Sequence, residues 1–456
     1  MRQRPKISAG EALGPDELDR LFAPFAQTLA RPCALAVSGG GDSTALMVLV
    51  AEWLRRAGSD PSRHAVLTVD HGLRPEAAAE ARSVAARAAA LGFAHATLPW
   101  RSEKPATGIQ AAARSARYAL MGEYVRRHGL AALLTAHTLD DQVETLLMRL
   151  ARGSGLDGLA AMAPSARLGG LLLLRPLLEV PKARLLATLA ARGISWIEDP
   201  SNQSPAFERT RLRAVRAGLE PLGLAGPAPA LSARRLRRAR SALEAVTDDV
   251  CAEAAGLVHT DPCGAFAVNR VRLGGLPEEI ALRVLARCIA AAGGLRQPPP
   301  LAKLEAIGEA LRAEAGARAS WTLGRAGIAA GTDAVTIGRE PGREPLPRLT
   351  VEAGAEVLWD GRFAVRVGRG IAGSVEVGAV GREGVAELRR LGHAAGRSRP
   401  LQLAAAFRRR ERLLAVPAVG FWADPGLERA LSAEFVGLRY NSSAAGDGLE
   451  EPWDWW

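Results

Sequence analysis

The sequence predicts an α/β protein: a parallel twisted sheet with helices on both faces, followed by a helical domain and a small α+β C-terminal domain. Three observations carry this reading. Short apolar runs alternate with helical stretches through the first half of the chain, which is the pattern of βαβ units. The first run ends in Ser38-Gly39-Gly40-Gly41-Asp42-Ser43, a glycine loop directly before a helix. Two stretches rich in Gly and Pro, Glu220 to Ala230 and Glu340 to Pro347, then divide a chain that at 456 residues is too long for one ordinary domain. Domains are accordingly expected at 1–218, 219–340 and 341–456.

The run Cys33 to Val37 is the first strand, and from Thr44 the apolar positions Leu46, Leu49, Val50 and Leu54 follow helical spacing. A glycine turn at a helix N-terminus gathers backbone N–H groups where no Cβ keeps a ligand away. The helix dipole adds positive potential, so the turn suits a phosphate chain. It is not the Walker pattern, which needs a lysine within the loop, and no lysine lies near it in the sequence. Nor is it the dinucleotide fingerprint, because a carboxylate and a hydroxyl occupy places where that motif wants open backbone and a last glycine.

Ala65 to Val69 is the second strand, ending at Asp70-His71-Gly72-Leu73-Arg74, and Pro75 to Leu91 is helical. His95 to Trp100 is the third strand, and Gln110 to His128 a helix on which Arg114 and Arg117 share a face. Ala131 to Ala136, a helix from Leu139 to Arg152, Leu171 to Leu178 and a helix from Pro181 to Arg192 continue the alternation. Ligand sites in such sheets lie at the carboxyl ends of strands, where the Ser38, Asp70 and His137 segments all fall. Asp70 is therefore expected beside the nucleoside of a bound nucleotide, and Arg117 is the arginine expected to meet phosphate charge.

The second informative stretch is Thr135-Ala136-His137-Thr138-Leu139-Asp140-Asp141-Gln142-Val143-Glu144-Thr145. Written as a helix, it puts His137, Asp141 and Glu144 on one face, apart from the apolar stripe of Val143, Leu146, Leu147 and Leu150. Acids in a first turn also cap a helix, but capping leaves Glu144 and His137 unexplained.

Formal net charge is +11, and almost all of the positive charge is arginine, with lysine only at Lys6, Lys104, Lys182 and Lys303. A basic balance favours a polyanionic partner such as nucleic acid. The arginines cluster at Arg209, Arg211, Arg213 and Arg216, at Arg234, Arg235, Arg237, Arg238 and Arg240, and between Arg389 and Arg412. The segment as far as Arg339 is expected to be mostly helical, Leu349 to Val367 to alternate like strands, and Ser442 to Trp456 to form a mobile acidic tail. Four cysteines without CxxC spacing read as thiols of a reducing compartment. With no transmembrane-length apolar run and no signal-peptide pattern after Met1, a cytoplasmic protein with no membrane partner is expected.

Taken in order, Ser38 to Ser43, Val69 to Arg74, Ala136 to Thr145, Arg175-Pro176-Leu177-Leu178 and Glu198-Asp199-Pro200-Ser201-Asn202 resemble the tRNA(Ile)-lysidine synthetases, members of the N-type ATP pyrophosphatase or PP-loop superfamily with a Rossmann-like sheet. The likeness is close as far as the Arg216 region and looser beyond it. It implies an enzyme that uses ATP to adenylate the C2 carbonyl oxygen of the wobble cytidine in a CAU anticodon. Free lysine then displaces AMP through its ε-amine, giving lysidine. ATP and Mg²⁺ are the implied cofactors and tRNA(Ile) and lysine the partners; a homodimer is compatible with the family. Carried onto this sequence, Ser38, Gly39, Gly40, Gly41, Asp42 and Ser43 hold the ATP phosphates with Mg²⁺, beside the Asp70 already expected at the nucleoside, and Asp42 helps bind the metal or the lysine. Asp141 and Glu144 receive the lysine ammonium groups. His137 steers phosphate or moves a proton; Arg117, picked from its helix face and not from the resemblance, joins the expected catalytic residues. Arg209, Arg211 and Arg213, with Arg234 and Arg235, meet the tRNA. Two departures stand out: Thr210 where the family commonly has asparagine, and Trp422-Ala423-Asp424-Pro425 where a glycine-bearing turn is usual. Competing readings are another PP-loop enzyme that modifies tRNA or adenylates its substrate, and a catalytically silent RNA-binding module. Cluster-bound thiolases need closely placed cysteines, which are missing, and a silent site has no reason to keep Asp42, Asp141 and Glu144.

Overall fold

The computed structural model describes residues 10–72, 76–102, 104–105, 108–168, 170–198, 211–212, 214, 216–313, 318–393, 398–438 and 449–450. The chain divides into two compact units, one of residues 1–240 with 447–456 and one of residues 241–446.

The first unit is a helix-flanked, mostly parallel sheet. Its helices are α1 (Pro15–Phe22), α2 (Gly41–Arg56), α3 (Ala77–Ala90), α4 (Ile109–Arg127), α5 (Leu139–Ala151) and α6 (Lys182–Ala191). Its strands β1 (Ala34–Ala36), β2 (Ala65–Asp70), β3 (Ala94–Pro99), β4 (Leu133–Leu134), β5 (Ser165–Leu168) and β6 (Leu171–Leu174) lie in the order β5-β6-β4-β1-β2-β3, with Leu449–Glu450 beside β5. From β1 the chain winds outward through β2 and β3, then returns to place β4 on the other side of β1. The order reverses between β1 and β4, and such a switch point opens a crevice at the carboxyl ends of the strands. Both the glycine loop after β1 and the His137 segment after β4 lie at that crevice.

Helix α2 is apolar on nearly every side, and Ala45 through Ala51 are each at most 1 % exposed. A helix of that kind belongs between layers; α6 packs against it. Two forked ion pairs fix α6. Arg184 grips Glu17 of α1 at 2.6 and 2.8 Å, and Arg192 grips Glu52 of α2 at 2.5 and 2.8 Å. The expected fifth strand is β6, and it is preceded by an antiparallel partner, β5, that the sequence pattern does not announce. Four residues alternate too briefly to read; the turn depends on Gly170, whose φ of +85° is open to glycine.

In the second unit a five-stranded antiparallel sheet (Val258–Asp261, Ala265–Asn269, Ala334–Arg339, Ala326–Ala330 and Ala319–Leu323, in that spatial order) packs against the helix Glu278–Gly293. The segment as far as Arg339 was expected to be mostly helical; it carries this sheet as well as its helices. Strands such as Ala326-Gly327-Ile328-Ala329-Ala330 have few of the β-branched and aromatic residues that mark a strand, so pairing and burial decide them. Beyond Leu349 the chain forms a second five-stranded sheet and a three-stranded one, with the helix Gly381–Arg390. A buried cluster joins the parts on either side of the Pro-rich stretch at 340–347. Arg339 and Arg362 both reach Asp360 Oδ2, at 3.1 and 2.6 Å, with Arg362 wholly buried. The other Gly/Pro stretch is helical at its end, where Pro227 opens α7 (Pro227–Cys251). Most of the acidic tail lies outside the described residues.

Candidate active site

The loop after β1 is held in shape by its own hydroxyls. Ser38 N–H donates to Ser43 Oγ at 3.2 Å, Ser43 Oγ donates to the Gly40 carbonyl at 3.0 Å, and Thr44 Oγ1 donates to the Gly39 carbonyl at 3.0 Å. Gly39 has φ +91°, and a Cβ there would stand 2.7 Å from Ile197 Cδ1. At Gly41 a Cβ would stand 2.5 Å from Leu186 Cδ2. Glycine is thus required by backbone shape at the first position, while at the second a Cβ would displace the end of the Leu186 side chain. Gly40 is the N-cap of α2 and carries no side chain to fill the N-terminus of that helix. The Ile197 N–H donates to Gly39 O at 2.9 Å, so the segment before Glu198 forms one wall of the loop.

Asp42, in the first turn of α2, is the centre of charge. Burial raises its carboxyl above the usual range; Lys182 works against this, and the nearby Asp141 and Asp140 carboxylates add to it. Its Oδ2 accepts from Lys182 Nζ at 3.0 Å, while its Oδ1 is buried with no hydrogen-bond partner among the described residues. The sequence places no lysine near the loop, but the fold brings one there from 140 residues away.

Around α5 the structure changes one expectation. Helix α5 begins at Leu139 with Thr138 as its N-cap, so His137 precedes the helix and does not share a helical face with Asp141 and Glu144. Its Nδ1 lies 3.0 Å from Thr135 Oγ1, which orients the ring. Asp141 closes a capping box: its Oδ2 accepts from Thr138 N–H at 2.8 Å and from Thr138 Oγ1 at 3.0 Å, and its own N–H donates back. Asp141 therefore caps the helix, and its charge also bears on Asp42. Asp140 Oδ2 accepts the Lys182 N–H at 2.8 Å. Glu144 is 6 % exposed and lines a small recess with Asp140, Val143, Leu147, Leu212 and Leu219.

At the end of β2, Asp70 Oδ1 accepts the Gly72 N–H at 2.8 Å, an Asx turn, and Lys104 Nζ donates to Gly72 O at 2.8 Å. His71 lies edge-on to Trp100, with ring centroids 5.9 Å apart. Burial pushes its pKa down to about 4, helped by the Arg117 and Lys104 charges and opposed by Asp70, so the ring is neutral at pH 7. Arg117 is exposed. Arg114 instead lies over the Tyr118 ring at 5.1 Å and reaches its hydroxyl, which separates the two arginines by role.

Residues 15–217 match the PP-loop domain family. The chain is 48% identical over 309 residues to a tRNA(Ile)-lysidine synthase of Rhodopseudomonas palustris, an alignment covering 68% of this chain and 87% of that protein. It is 49% identical over 306 residues to one from a Methylobacterium species, covering 65% and 85%. With the same-named protein of Ruegeria pomeroyi it is 39% identical over 444 residues, 96% of both chains. The chain belongs to the tRNA(Ile)-lysidine synthase family. It is accordingly a ligase with a PP-loop domain.

Among the described residues of this lysidine synthase family member there is no group of three or more His, Cys, Asp or Glu side chains able to hold a metal alone. The buried, unpartnered Oδ1 of Asp42 nevertheless suits a hard cation that takes its other ligands from phosphate and water. Of the basic residues assigned to tRNA, Arg209 and Arg213 lie outside the described residues, as do Thr210 and Asp199 to Asn202. Arg211 is exposed. On α7, Arg234 is paired with Glu179 at 3.3 Å, Arg237 donates to Ala160 O and Arg240 meets Asp157, while Arg235 and Arg238 are exposed. The arginine run is thus divided: some members seat the helix and others face solvent. Lys182 and Ile197 are the site residues that motif reading misses, because each acts through a distant partner; Thr138 is legible as the first letter of the Thr138-x-x-Asp141 capping pattern. Among the described residues no helix is long and apolar enough to cross a membrane.

Proposed function

We propose that this protein ligates free lysine to C2 of the wobble cytidine of CAU-anticodon tRNA(Ile) at the expense of ATP. The observation that supports this best is the gathering of Asp42, Asp140 and Asp141 beside a glycine loop at the switch point, in a chain that aligns with a lysidine synthase over 96% of its length. In this reading the loop from Ser38 to Ser43 presents its N–H groups and the α2 dipole to the ATP phosphates, with Asp70 toward the adenosine. The cytidine C2 oxygen attacks the α-phosphorus and pyrophosphate leaves. The lysine ε-nitrogen then attacks C2, the C–O bond breaks, and AMP departs with the electron pair.

Mg²⁺ would be held by Asp42 and would neutralise charge on the departing pyrophosphate. Asp141 and Glu144 hold the lysine ammonium groups; Asp141 is already fixed in place by the capping box. Attack requires a neutral amine, and we assign the proton to His137, whose ring is oriented by Thr135. Arg117 counters phosphate charge. Exposed Arg211, Arg235 and Arg238, together with Arg209 and Arg213, face the tRNA backbone.

The test is incubation with ATP, Mg²⁺, radiolabelled lysine and CAU-anticodon tRNA(Ile). Label in the RNA with equimolar pyrophosphate, both lost in Asp42→Ala, is the expected result. Pyrophosphate without label would replace lysine by another nucleophile, and binding of tRNA with neither product would favour a silent RNA-binding module.

A further inference from the structure

Lys182 becomes conspicuous only in the folded chain. Its backbone N–H is fixed by Asp140 Oδ2 at 2.8 Å and its Nζ lies 3.0 Å from Asp42 Oδ2, so carboxylates of the site set both ends of the residue. Lysine is rare here, four residues among 59 cations, and this one opens the helix whose Arg184, two residues on, grips Glu17 and whose C-terminal Arg192 grips Glu52. Those arginines use the planar fork of the guanidinium, with two bonds each; Lys182 is a point charge on a flexible stem with one bond to one oxygen. The Lys182 side chain is 46% exposed and that of Asp42 27%. An exposed, single-contact pair contributes little net stability and is readily exchanged. Asp42 nonetheless needs a cation, since Asp140 and Asp141 stand close by and its Oδ1 is buried without a partner among the described residues.

We propose, resting on the ATP reading of the glycine loop, that Lys182 is a resident counter-ion of Asp42. It holds the carboxylate while no nucleotide is bound, yields it to the divalent ion that arrives with ATP, and turns its ammonium to the phosphate chain. A divalent ion carries twice the charge of the ammonium and outcompetes it for a carboxylate. The displaced ammonium finds a new anion in the phosphates that the loop collects. Lysine suits this exchange because its stem swings and its single contact releases cleanly.

The test uses the full chain as wild type, Lys182→Met and Lys182→Arg, with Mn²⁺ as the metal probe followed by electron paramagnetic resonance, and ATP binding at saturating Mg²⁺ followed by equilibrium dialysis. Without nucleotide, Lys182→Met is expected to bind Mn²⁺ about tenfold tighter than wild type, because the competing cation is gone. At saturating Mg²⁺, ATP is expected to bind the same variant about tenfold more weakly, having lost a phosphate partner. Lys182→Arg keeps Mn²⁺ weak, and Asp42→Asn combined with Lys182→Met abolishes the tightening. A purely structural ion pair would move both affinities the same way. Equal Mn²⁺ affinity in wild type and Lys182→Met overturns the counter-ion role, and unchanged ATP affinity overturns the transfer to phosphate. A wild-type chain that binds no ATP would defeat the ATP reading instead, and the Mn²⁺ comparison would still decide what Lys182 does at Asp42. A thermal melt separates these results from misfolding: a variant that melts as wild type and shows neither change sinks the proposal.

Discussion

The N–H of Ile197 donates to the carbonyl of Gly39 at 2.9 Å, while the Ile197 side chain lies where a Cβ on Gly39 would go. One residue from far along the chain thus both anchors the glycine loop and crowds the place of a Gly39 side chain, where φ is already +91°. Gly39→Ala is expected to lose about 1–3 kcal/mol of stability and to weaken ATP binding, from a strained positive φ and a clash together. Adding Ile197→Ala should relieve the clash and leave the backbone strain. A double-mutant cycle in chemical denaturation measures the coupling, and strict additivity would show that the two residues do not meet.

Asp141 has two tasks that can be separated. Thr138→Ala removes the capping hydroxyl and should cost about 1 kcal/mol of stability with lysine use little changed. Asp141→Asn keeps an oxygen for the cap and loses the charge, so stability should stay close to wild type. Lysine incorporation should then fall by about ten- to a hundredfold while ATP and tRNA binding persist, the range expected for a lost charged hydrogen bond. Unaltered lysidine formation in Asp141→Asn would remove it from the lysine site.

His64 is buried, and its Nδ1 accepts the Cys33 N–H at 3.2 Å, so the native ring is neutral. Burial and the adjoining Arg63 push its pKa down to about 4 from 6.5. Below pH 6.5 the unfolded chain takes up a proton that the native state refuses. Stability should therefore be complete above pH 6.5 and decline as pH falls toward 4, by about 3 kcal/mol for this group. His71 adds to the fall in the same window. His64→Asn keeps an acceptor near the Cys33 N–H and cannot titrate, so its stability should depend on pH with a slope about one proton shallower. Equal slopes would mean that His64 is protonated in the native state.

Exposed Arg211 and Arg235 should contribute to tRNA affinity through counterion release. Replacing both by alanine is expected to lower the slope of log affinity against log salt by about one per residue, at similar cost for any tRNA sequence. Arg237→Ala is the control, because that guanidinium is spent on the Ala160 carbonyl. Its effect should appear in thermal stability, and a change in salt slope there would reverse the division of the arginine run.

Much of this protein is written in local pattern. Alternating apolar runs announce β1, β2 and β3 and the helices between them, because periodicity of side chains along a chain is a property of neighbours. The loop from Ser38 to Asp42 is legible for the same reason: glycine at Gly39 answers a positive φ, a demand that acts within one residue. The order of the five motifs was enough to point to the family. The tertiary structure alone decided what depends on the path of the chain. It put His137 ahead of the Thr138 cap, off the face of α5 that carries Asp141 and Glu144. It made strands of Ala326-Gly327-Ile328-Ala329-Ala330, whose composition is silent until neighbours pair with it. It also set Lys182 on Asp42 across 140 residues. No periodicity encodes a contact between one ammonium and one carboxylate so far apart; it exists because α6 lies over α2 on a sheet whose order reverses at β1.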